Sequence, residues 1–503
     1  MPSWDGECKV NLGKKTWLAA VLVVICGFAL AQEKVGETIY SVGIATAQKP
    51  GEAPRFLVKG EGFGQGDVIT TGSRGFAVIG FQDGTKMTLR PNTSFAVDKF
   101  SQKPGEESLW MRLIQGGLRA ISGAIGKSRS EAMRINSQTA TIGIRGTEFD
   151  ARICGDDCRK EQQYAKPVKA ADESQIAVAR LIQSKGAAMA VSREGDVRRL
   201  SVGAALYNGE TVRTGNDSWA VLAFRDQSKI TVVASSDLKL DNVKYVPSQP
   251  ETDAFAVRLL RGGLRALTGL LGKRNPNAVQ FGTVVATIGI RGTGVDIRMA
   301  SHCTEMAAAG SAAAPGANPG KKGKKAAKKS ASASACADSA FAYTWSGAVG
   351  LNGGNHDLLI EKDKSGVFNP RRGSPELLAS IPRFFLDEEA PRPDQVDADF
   401  DNLFGVQRVD VYVNGLYVGV RHGHVDIDAP GGHIDLGLWE TGYLPDGGGR
   451  PLRLSENPGF LFNDIYPVPD ENAEDTFRLI ELIIPGGSSD GDGGGGICEL
   501  YGK

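Results

Sequence analysis

The sequence predicts an all-β protein of tandem β-sandwich or β-roll domains with short strands, a disordered insert and a β-rich C-terminal region. Two observations carry this prediction. The 503 residues include 65 glycines, and short apolar runs alternate with turn pairs, as in strands joined by tight turns. One block also occurs twice, since Ala140–Thr147 and Ala286–Thr293 have the same sequence.

The N-terminus has the layout of a secretory signal peptide. Lys14 and Lys15 precede an apolar run from Trp17 to Leu30, and the run ends in the small-x-small triplet that closes with Ala31. The run is short for a membrane span, which needs about 20 residues. We therefore expect a signal peptide over 1–31, cleavage after Ala31, and export to the periplasm or cell surface. An uncleaved anchor is the alternative.

An internal duplication covers most of the mature chain, with copies at 38–165 and 176–300. Gly116-Gly-Leu-Arg-Ala120 returns as Gly262-Gly-Leu-Arg-Ala266, and the strand Phe76–Phe81 returns as Trp219–Phe224. Several matches in the same order indicate one unit present twice. In the first copy Asp83-Gly84 separates two strand-like runs and predicts a hairpin. The second copy has Asp226-Gln227 there, a weaker turn.

The C-terminal half contains several segments of different composition. Residues 301–340 form a linker rich in Ala, Lys and Gly, which we expect to be disordered because it has little to bury. Residues 341–390 and 406–470 predict β closing segments, and Asn414-Gly415 predicts a hairpin turn in the second. Residues 471–503 form an acidic, Gly-rich tail that we expect to be mobile.

These motifs resemble the FecR domain family. The first copy shows Gly66-Asp67, Thr71-Gly72, Asp83-Gly-Thr85, Gly116–Arg119 and Thr141–Thr147 in the family's order, and the second copy follows it. The resemblance implies all-β periplasmic domains without known catalytic residues. Its founding members are membrane-spanning regulators with a cytoplasmic anti-sigma segment. Residues 1–16 are too few for that segment, so we do not carry sigma-factor regulation over to this chain.

The family motif contains the sharpest polar positions shared by the two copies. They are Arg145, Gly146 and Thr147 in the first copy, and Arg291, Gly292 and Thr293 in the second. We favour a structural role, in which each arginine is buried against carbonyls or a carboxylate and each glycine occupies an unusual turn. The alternative makes the arginines contacts for a ligand or partner.

A histidine-rich stretch offers a candidate metal site. His422, His424 and Asp426 alternate along one predicted strand, so they share a face, and His433 lies on the next strand. Imidazole and carboxylate groups suit zinc or another transition metal. A solvated strand face, with Val425 and Ile427 turned inward, is the favoured interpretation, because Ala348 and Gly350 replace His424 and Asp426 in a fainter downstream repeat.

Five cysteines remain after removal of the signal peptide. Cys154 and Cys158 are close enough to close a small loop, although a zinc site there is an alternative. Cys303 and Cys336 bracket the linker, and we predict that they pair in the oxidising envelope. Such a bridge is worth roughly 3–4 kcal/mol in the chain-entropy model. The odd count leaves Cys498 without an assigned partner.

Three functions remain open at this point. The first is a non-catalytic envelope binding or scaffold protein, without cofactor, that faces an envelope protein or a cell-wall or polysaccharide ligand. The second is a component of an envelope signal-transduction system, and the third is a metal-dependent enzyme using the 422–435 hairpin. Lys and Arg total 58, as do Asp and Glu, which argues against nucleic-acid binding. We expect only indirect membrane association.

Overall fold

The computed structural model describes residues 34–128, 131–301, 338–408 and 412–469. Strands dominate these residues, so the predicted all-β class is confirmed. They form two large curled sheets with the same strand order. Among the described residues, no helix is long and apolar enough to cross a membrane.

The first sheet is built mainly from the first copy of the repeat. Its main path runs in the order β3-β2-β5-β8-β9-β11-β12-β10-β7-β6-β1-β4. The strands are β1 Lys34–Val42, β2 Ala45–Gln48, β3 Arg55–Phe56, β4 Gly62–Gly64, β5 Val68–Thr71, β6 Phe76–Phe81, β7 Lys86–Leu89, β8 Ser94–Ser101, β9 Ser108–Gln115, β10 Gly117–Ile121, β11 Met133–Asn136 and β12 Thr141–Cys154.

The second copy repeats this path strand for strand, in the order β15-β14-β17-β20-β21-β23-β24-β22-β19-β18-β13-β16. The strands are β13 Ala179–Lys185, β14 Ala188–Val191, β15 Val197–Arg199, β16 Ala205–Leu206, β17 Thr211–Thr214, β18 Trp219–Phe224, β19 Lys229–Val232, β20 Asp237–Lys244, β21 Ala254–Arg261, β22 Gly263–Leu267, β23 Val279–Thr283 and β24 Thr287–Ser301.

The two closing segments join different sheets. The first pairs with β24 and comprises β25 Asp338–Gly353, β26 His356–Glu361, β27 Lys364–Phe368 and β28 Pro375–Leu377. The second pairs with β12 and comprises β29 Gly415–Ala429, β30 Gly432–Leu436, β31 Thr441–Pro445 and β32 Leu452–Arg453. Domain 1 is therefore 34–165 with 406–469, and domain 2, residues 176–396, is inserted between its β12 and β29.

Each sheet must curl because of how its edge strands are connected. β3 and β4 lie at opposite ends of the sheet path, yet only residues 57–61 separate them. So few residues span at most about 20 Å, so the two edges must come close together. Gly43, with φ of 67°, bends the chain between β1 and β2, and Gly186, with φ of 73°, does the same between β13 and β14.

Short helices connect the strands within the described residues. The α-helices are α1 Ala124–Ser128, α2 Asp156–Tyr164, α3 Leu270–Arg274, α4 Arg383–Leu386, α5 Phe400–Phe404 and α6 Gly459–Phe462. Single 3₁₀ turns occur at Glu173–Gln175, Pro250–Thr252, Pro276–Ala278 and Pro393–Gln395. A disulfide joins Cys154, at the end of β12, to Cys158 in α2, so these cysteines are not zinc ligands here.

Each domain has its own apolar core, and the closing segments complete it. Leu416, Val418 and Ile427 pack among the buried residues of domain 1. Ala342, Leu351 and Ile360 do the same in domain 2. Since the alternating side chains of β25 and β29 fill these cores, neither core is complete without its C-terminal segment.

The predicted turns have mixed outcomes. Asp83-Gly84 does connect the antiparallel strands β6 and β7, with Gly84 at φ of 85°. The equivalent Gln227 takes the same left-handed conformation at φ of 67°. The Asn414-Gly415 prediction is wrong, because β29 begins at Gly415 and runs unbroken to Ala429. Gly415 instead lies within the sheet, where it pairs with Pro445 and with Cys154.

Several predicted features lie outside the described residues. They are the signal peptide over 1–31, the Cys303 and Cys336 pair, and the tail over 471–503. Most of the linker predicted over 301–340 also lies outside the described residues, but both of its ends belong to strands. Ser301 still belongs to β24 and β25 already begins at Asp338, because these ends pair with each other.

Candidate functional site

The family motif forms an irregularity in the pairing of β12 with β29. The register shifts between Arg145 and Glu148, and Gly146 has φ of 61°, a conformation that favours glycine. Thr147 is buried; its N–H donates to Ser122 Oγ at 2.8 Å and its hydroxyl donates to the His424 carbonyl at 3.2 Å. The motif therefore turns the Arg145 side chain toward the closing hairpin β29–β30.

That hairpin carries a chain of paired histidine and aspartate side chains. His424 Nε2 lies 2.9 Å from Asp435 Oδ1, and His433 Nε2 lies 3.0 Å from Asp435 Oδ2. His433 Nδ1 lies 2.6 Å from Asp428 Oδ1. One carboxylate thus links both imidazoles, and a second holds the outer ring in place.

The electrostatics of the hairpin follow from burial and pairing. Hydrogen bonding to Asp435 outweighs desolvation and raises the pKa of His433 to about 9. Burial opposes ionisation of Asp435, but hydrogen bonds from His424 and His433 prevail and lower its pKa. Burial also raises the pKa of Asp426, although Arg145 opposes this. At neutral pH His433 is therefore a cation between two carboxylates.

Arg145 connects this hairpin to domain 2. Its Nη2 atom lies 3.3 Å from Asp426 Oδ1, and its Nη1 atom donates to Ser201 Oγ of domain 2. Gly203, two residues further on, packs so closely on the Asp435 carboxylate that a Cβ atom would overlap it. The segment 201–203 of domain 2 therefore covers the hairpin of domain 1.

The histidine prediction needs two corrections. His422 is exposed and lies outside the cluster, because the register irregularity around Gly146 breaks the expected alternation. The hairpin face is also not solvated, since His424, Asp426 and Asp435 are all buried. Val425 and Ile427 do point into the core.

Three hairpin side chains could converge on a metal ion. The ligand atoms of Asp426, Asp428 and His433 lie within 4.8 Å of one another. Both ring nitrogens of His433 already pair with carboxylates, so a metal would have to displace a proton and one of these bonds. A protonated His433 between Asp428 and Asp435 is enough to account for this arrangement of side chains.

Domain 2 lacks these groups at the equivalent positions. Ala348 pairs with Arg291 as His424 does with Arg145, and Gly350 pairs with Gly289 as Asp426 does with Gly143. Arg291, Gly292 and Thr293 belong to β24, but their side chains lie outside the description. Among the described residues, this polar cluster therefore occurs in domain 1.

A second polar cluster, which the sequence analysis missed, surrounds Asp150. Arg90 Nη2 and Arg119 Nε lie 2.9 Å from Asp150 Oδ1, and Arg421 Nε lies 2.6 Å from Oδ2. Asp464 balances this charge by pairing with Arg90 and Arg119. Burial opposes ionisation of Asp150, but the three guanidinium groups outweigh it and lower its pKa.

Domain 2 has an aspartate at the equivalent position, Asp296, with fewer cationic partners. Arg265 Nη2 lies 3.1 Å from Asp296 Oδ2, and Trp345 Nε1 donates to Oδ1 at 2.9 Å. Trp345 occupies the strand position of Arg421. With fewer cations nearby, burial dominates and raises the pKa of Asp296 to about 6.

A third cluster joins the two domains. Glu440 of domain 1 accepts hydrogen bonds from Arg180 of domain 2 and from Arg453 at 3.2 Å. Tyr207 of domain 2 accepts a 2.7 Å bond from the Leu438 N–H through its hydroxyl. Burial opposes ionisation of Glu440, but Arg180 and Arg453 lower its pKa to about 2.

The duplication contained a signal for one of these clusters. Arg119 and Asp150 are 31 residues apart, and so are Arg265 and Asp296. A charged pair that recurs at one spacing in two copies indicates a contact within each copy. The pair of Glu440 and Arg180 has no such signal, because it joins the two domains and is not repeated within each copy.

We predict that Arg145→Ala destabilises domain 1 by about 1–3 kcal/mol. The change leaves the buried Asp426 carboxylate without its cation and removes the hydrogen bond to Ser201. Thermal unfolding measures the loss, and Arg145→Lys, which keeps the charge, should lose less. An unchanged melting temperature together with lost partner binding would instead identify Arg145 as a contact residue.

Comparison with known proteins finds one family model that matches both copies. Residues 67–162 and 210–310 match the family model described as FecR protein. No curated protein matches the chain. Two crystal structures from Parabacteroides distasonis ATCC 8503, provisionally described as an anti-sigma factor, align at 9% and 10% identity, each with a TM-score of 0.23. They cover 35% and 41% of this chain and 62% and 83% of their own, and at that score they inform neither fold nor function.

Proposed function

Starting from a chain that carries two tandem FecR-type domains, we propose that it is a non-catalytic component of an envelope signal-transduction system. In this role it recognises another envelope macromolecule and passes on the bound state. The observation that carries the proposal is the family match, which falls on both domains. The match favours this signalling alternative over the passive scaffold that the sequence analysis preferred.

The arrangement of polar groups supports a recognition role over catalysis. In the hairpin cluster the Asp435 carboxylate bonds both imidazoles. In the other clusters the carboxylates of Asp150 and Glu440 are saturated by arginines. Groups paired in this way hold structure together, whereas a general base or nucleophile needs a free face toward substrate. The metal-dependent enzyme therefore has the weakest support of the three functions.

The insertion of domain 2 offers a physical route for a signal. The domains touch through Arg145 and Ser201, through Gly203 and Asp435, and through Glu440 and Arg180. Because both connections between the domains leave from the β12 and β29 side of domain 1, a ligand that alters this junction alters both domains. Coupling of this kind requires different affinities for two junction states.

Deletion and complementation in the native bacterium test the proposal. Deleting the gene should change the transcript levels of a defined set of envelope genes, and the full chain should restore them. A matched control lacks residues 2–31 and remains inside the cell, where it should fail to complement. Transcripts that are unchanged by the deletion, with only a mechanical envelope defect, would favour the scaffold, and complementation by the control would contradict an envelope role.

A further inference from the structure

The contact between segment 201–203 and the hairpin β29–β30 has a counterpart for each of its two halves elsewhere in the chain. The segment 201–203 of domain 2 covers the closing hairpin of domain 1, with Ser201 on Arg145 and Gly203 on Asp435. Each domain contains both a segment and a hairpin of this kind, because the two copies share one strand order. Domain 1 therefore has its own segment of this kind, and domain 2 has its own hairpin β25–β26.

Among the described residues, the equivalent hairpin of domain 2 borders an open groove. Where Asp426 fills the space above Gly143, domain 2 has Gly350, and nothing lies within 4 Å of a Cβ placed on Gly289. The result is a groove of about 320 Å³, lined in part by Leu358 and Leu359. Leu359 takes the place of Asp435 in the strand register and is 51% exposed.

The equivalent segment of domain 1 is exposed and apolar. The backbone bonds Leu57 N–H to Ala45 O and Gly60 N–H to Thr38 O match those of Leu200 and Gly203, so Val58 corresponds to Ser201. Val58 is 56% exposed, and Phe56 and Ile44 are also exposed. Their counterparts in domain 2 are Arg199 and Ala187. These three side chains form an apolar patch at the β3 edge of the sheet.

We propose that the 56–60 segment of one copy docks on the β25–β26 hairpin of a second copy. The contact would repeat between molecules the contact that joins the two domains within one molecule. The polarity of the surfaces matches this occupant. The internal contact places Ser201 on Arg145 and Gly203 on Asp435. At the positions equivalent to Ser201 and Asp435, the two counterparts present the exposed apolar side chains of Val58 and Leu359, and docking would remove both from water. The rest of the groove lining is mixed, with Gln280 and Asn352 beside Ile290.

A contact of this kind builds assemblies larger than a dimer, either open chains or closed rings. Each copy carries one such segment and one such groove on different domains, so the contact is heterologous and leaves both ends of a dimer able to add another copy. The contact is small, so we expect weak association, with dissociation constants of roughly 10–100 μM or above. Tethering at an envelope surface would raise the local concentration.

Two variants that disable opposite surfaces test the proposal. Sedimentation velocity of the purified exported chain, up to roughly 500 μM, should show mass increasing with concentration through dimers to longer species. Val58→Glu places a charge on the docking segment, and Leu359→Glu places one in the groove. Each substitution should weaken association by about tenfold or more. An equimolar mixture should form dimers and nothing larger, because only one intact segment and one intact groove can meet.

Controls separate this proposal from misfolding and from general stickiness. Both substituted positions are exposed, so far-UV circular dichroism and melting should match the unsubstituted protein. Tyr164→Glu alters an exposed aromatic residue on α2, outside both surfaces, and should associate as the unsubstituted protein does. A monomer at every concentration would overturn the proposal, as would equal association of all variants. Neither result bears on the signalling role, which the transcript test addresses separately.

Discussion

Glu440→Gln should lower the free energy of unfolding by roughly 3–5 kcal/mol, the usual cost of breaking a buried ion pair. Arg180 is only 1% exposed, and Glu440 is the carboxylate that it and Arg453 share. Removing that charge leaves two buried guanidinium groups without a counterion. Since Arg180 belongs to domain 2, the change also weakens the junction, and calorimetry should show two separated transitions where the unsubstituted protein shows one.

The pH dependence of this effect has a definite sign. The pKa of Glu440 in the folded protein, about 2, lies below the 4.5 of an unperturbed glutamate. The stabilisation is therefore fully present above pH 4.5 and is lost as the pH falls toward 2. Glu37→Gln is the matched control, because Glu37 pairs with Lys34 on the surface and should cost less than about 1 kcal/mol. Equal losses from both variants would contradict the burial argument.

The equivalent aspartates of the two domains should respond to pH in opposite ways. The pKa of Asp296 in the folded protein, about 6, lies above the 3.8 of an unperturbed aspartate. Its contribution to stability is therefore complete below pH 3.8 and is lost as the pH rises through 6, by about 3 kcal/mol. The difference in unfolding free energy between the unsubstituted protein and Asp296→Asn should shrink by that amount between pH 4 and 7.

Asp150→Asn provides the internal comparison. The pKa of Asp150 is lowered, so its stabilisation is present above pH 3.8 and is lost only below that value. The penalty for Asp150→Asn should be about 3–5 kcal/mol and constant between pH 4 and 7. Urea titrations of the three proteins across this range measure both effects. A parallel pH dependence for the two variants would show that the surrounding cations do not set the difference.

This contrast shows how the copies have diverged around one shared position. In both copies the arginine of the Gly-Gly-Leu-Arg motif pairs with an aspartate, Asp150 of β12 in domain 1 and Asp296 of β24 in domain 2. The closing segments supply the rest, Arg421 in domain 1 and Trp345 in domain 2. Gly294 leaves space for the Trp345 ring, and Glu148 stands in its place in domain 1. These side chains help β29 pair with β12 and β25 pair with β24.

The sequence by itself determined the features that depend on short-range patterns. An apolar run of six residues predicts β6 and its counterpart β18, a turn pair predicts the β6–β7 hairpin, and the repeated motifs predict two similar domains. These patterns act locally, because side-chain alternation and left-handed turns depend on a residue and its near neighbours. Side-chain alternation along β29 placed His424 and Asp426 on one face, and it failed at His422, where the pairing register with β12 shifts.

The tertiary structure decided which closing segment completes which domain, and with it every contact between the domains. Arg421 meets Asp150 across 271 positions of sequence, and Arg180 meets Glu440 across 260. No periodicity links residues so far apart, since their pairing follows from the competition of whole strands for one sheet edge and of buried charges for one counterion. For the same reason, only the folded chain shows a covered hairpin in domain 1 and an open one in domain 2.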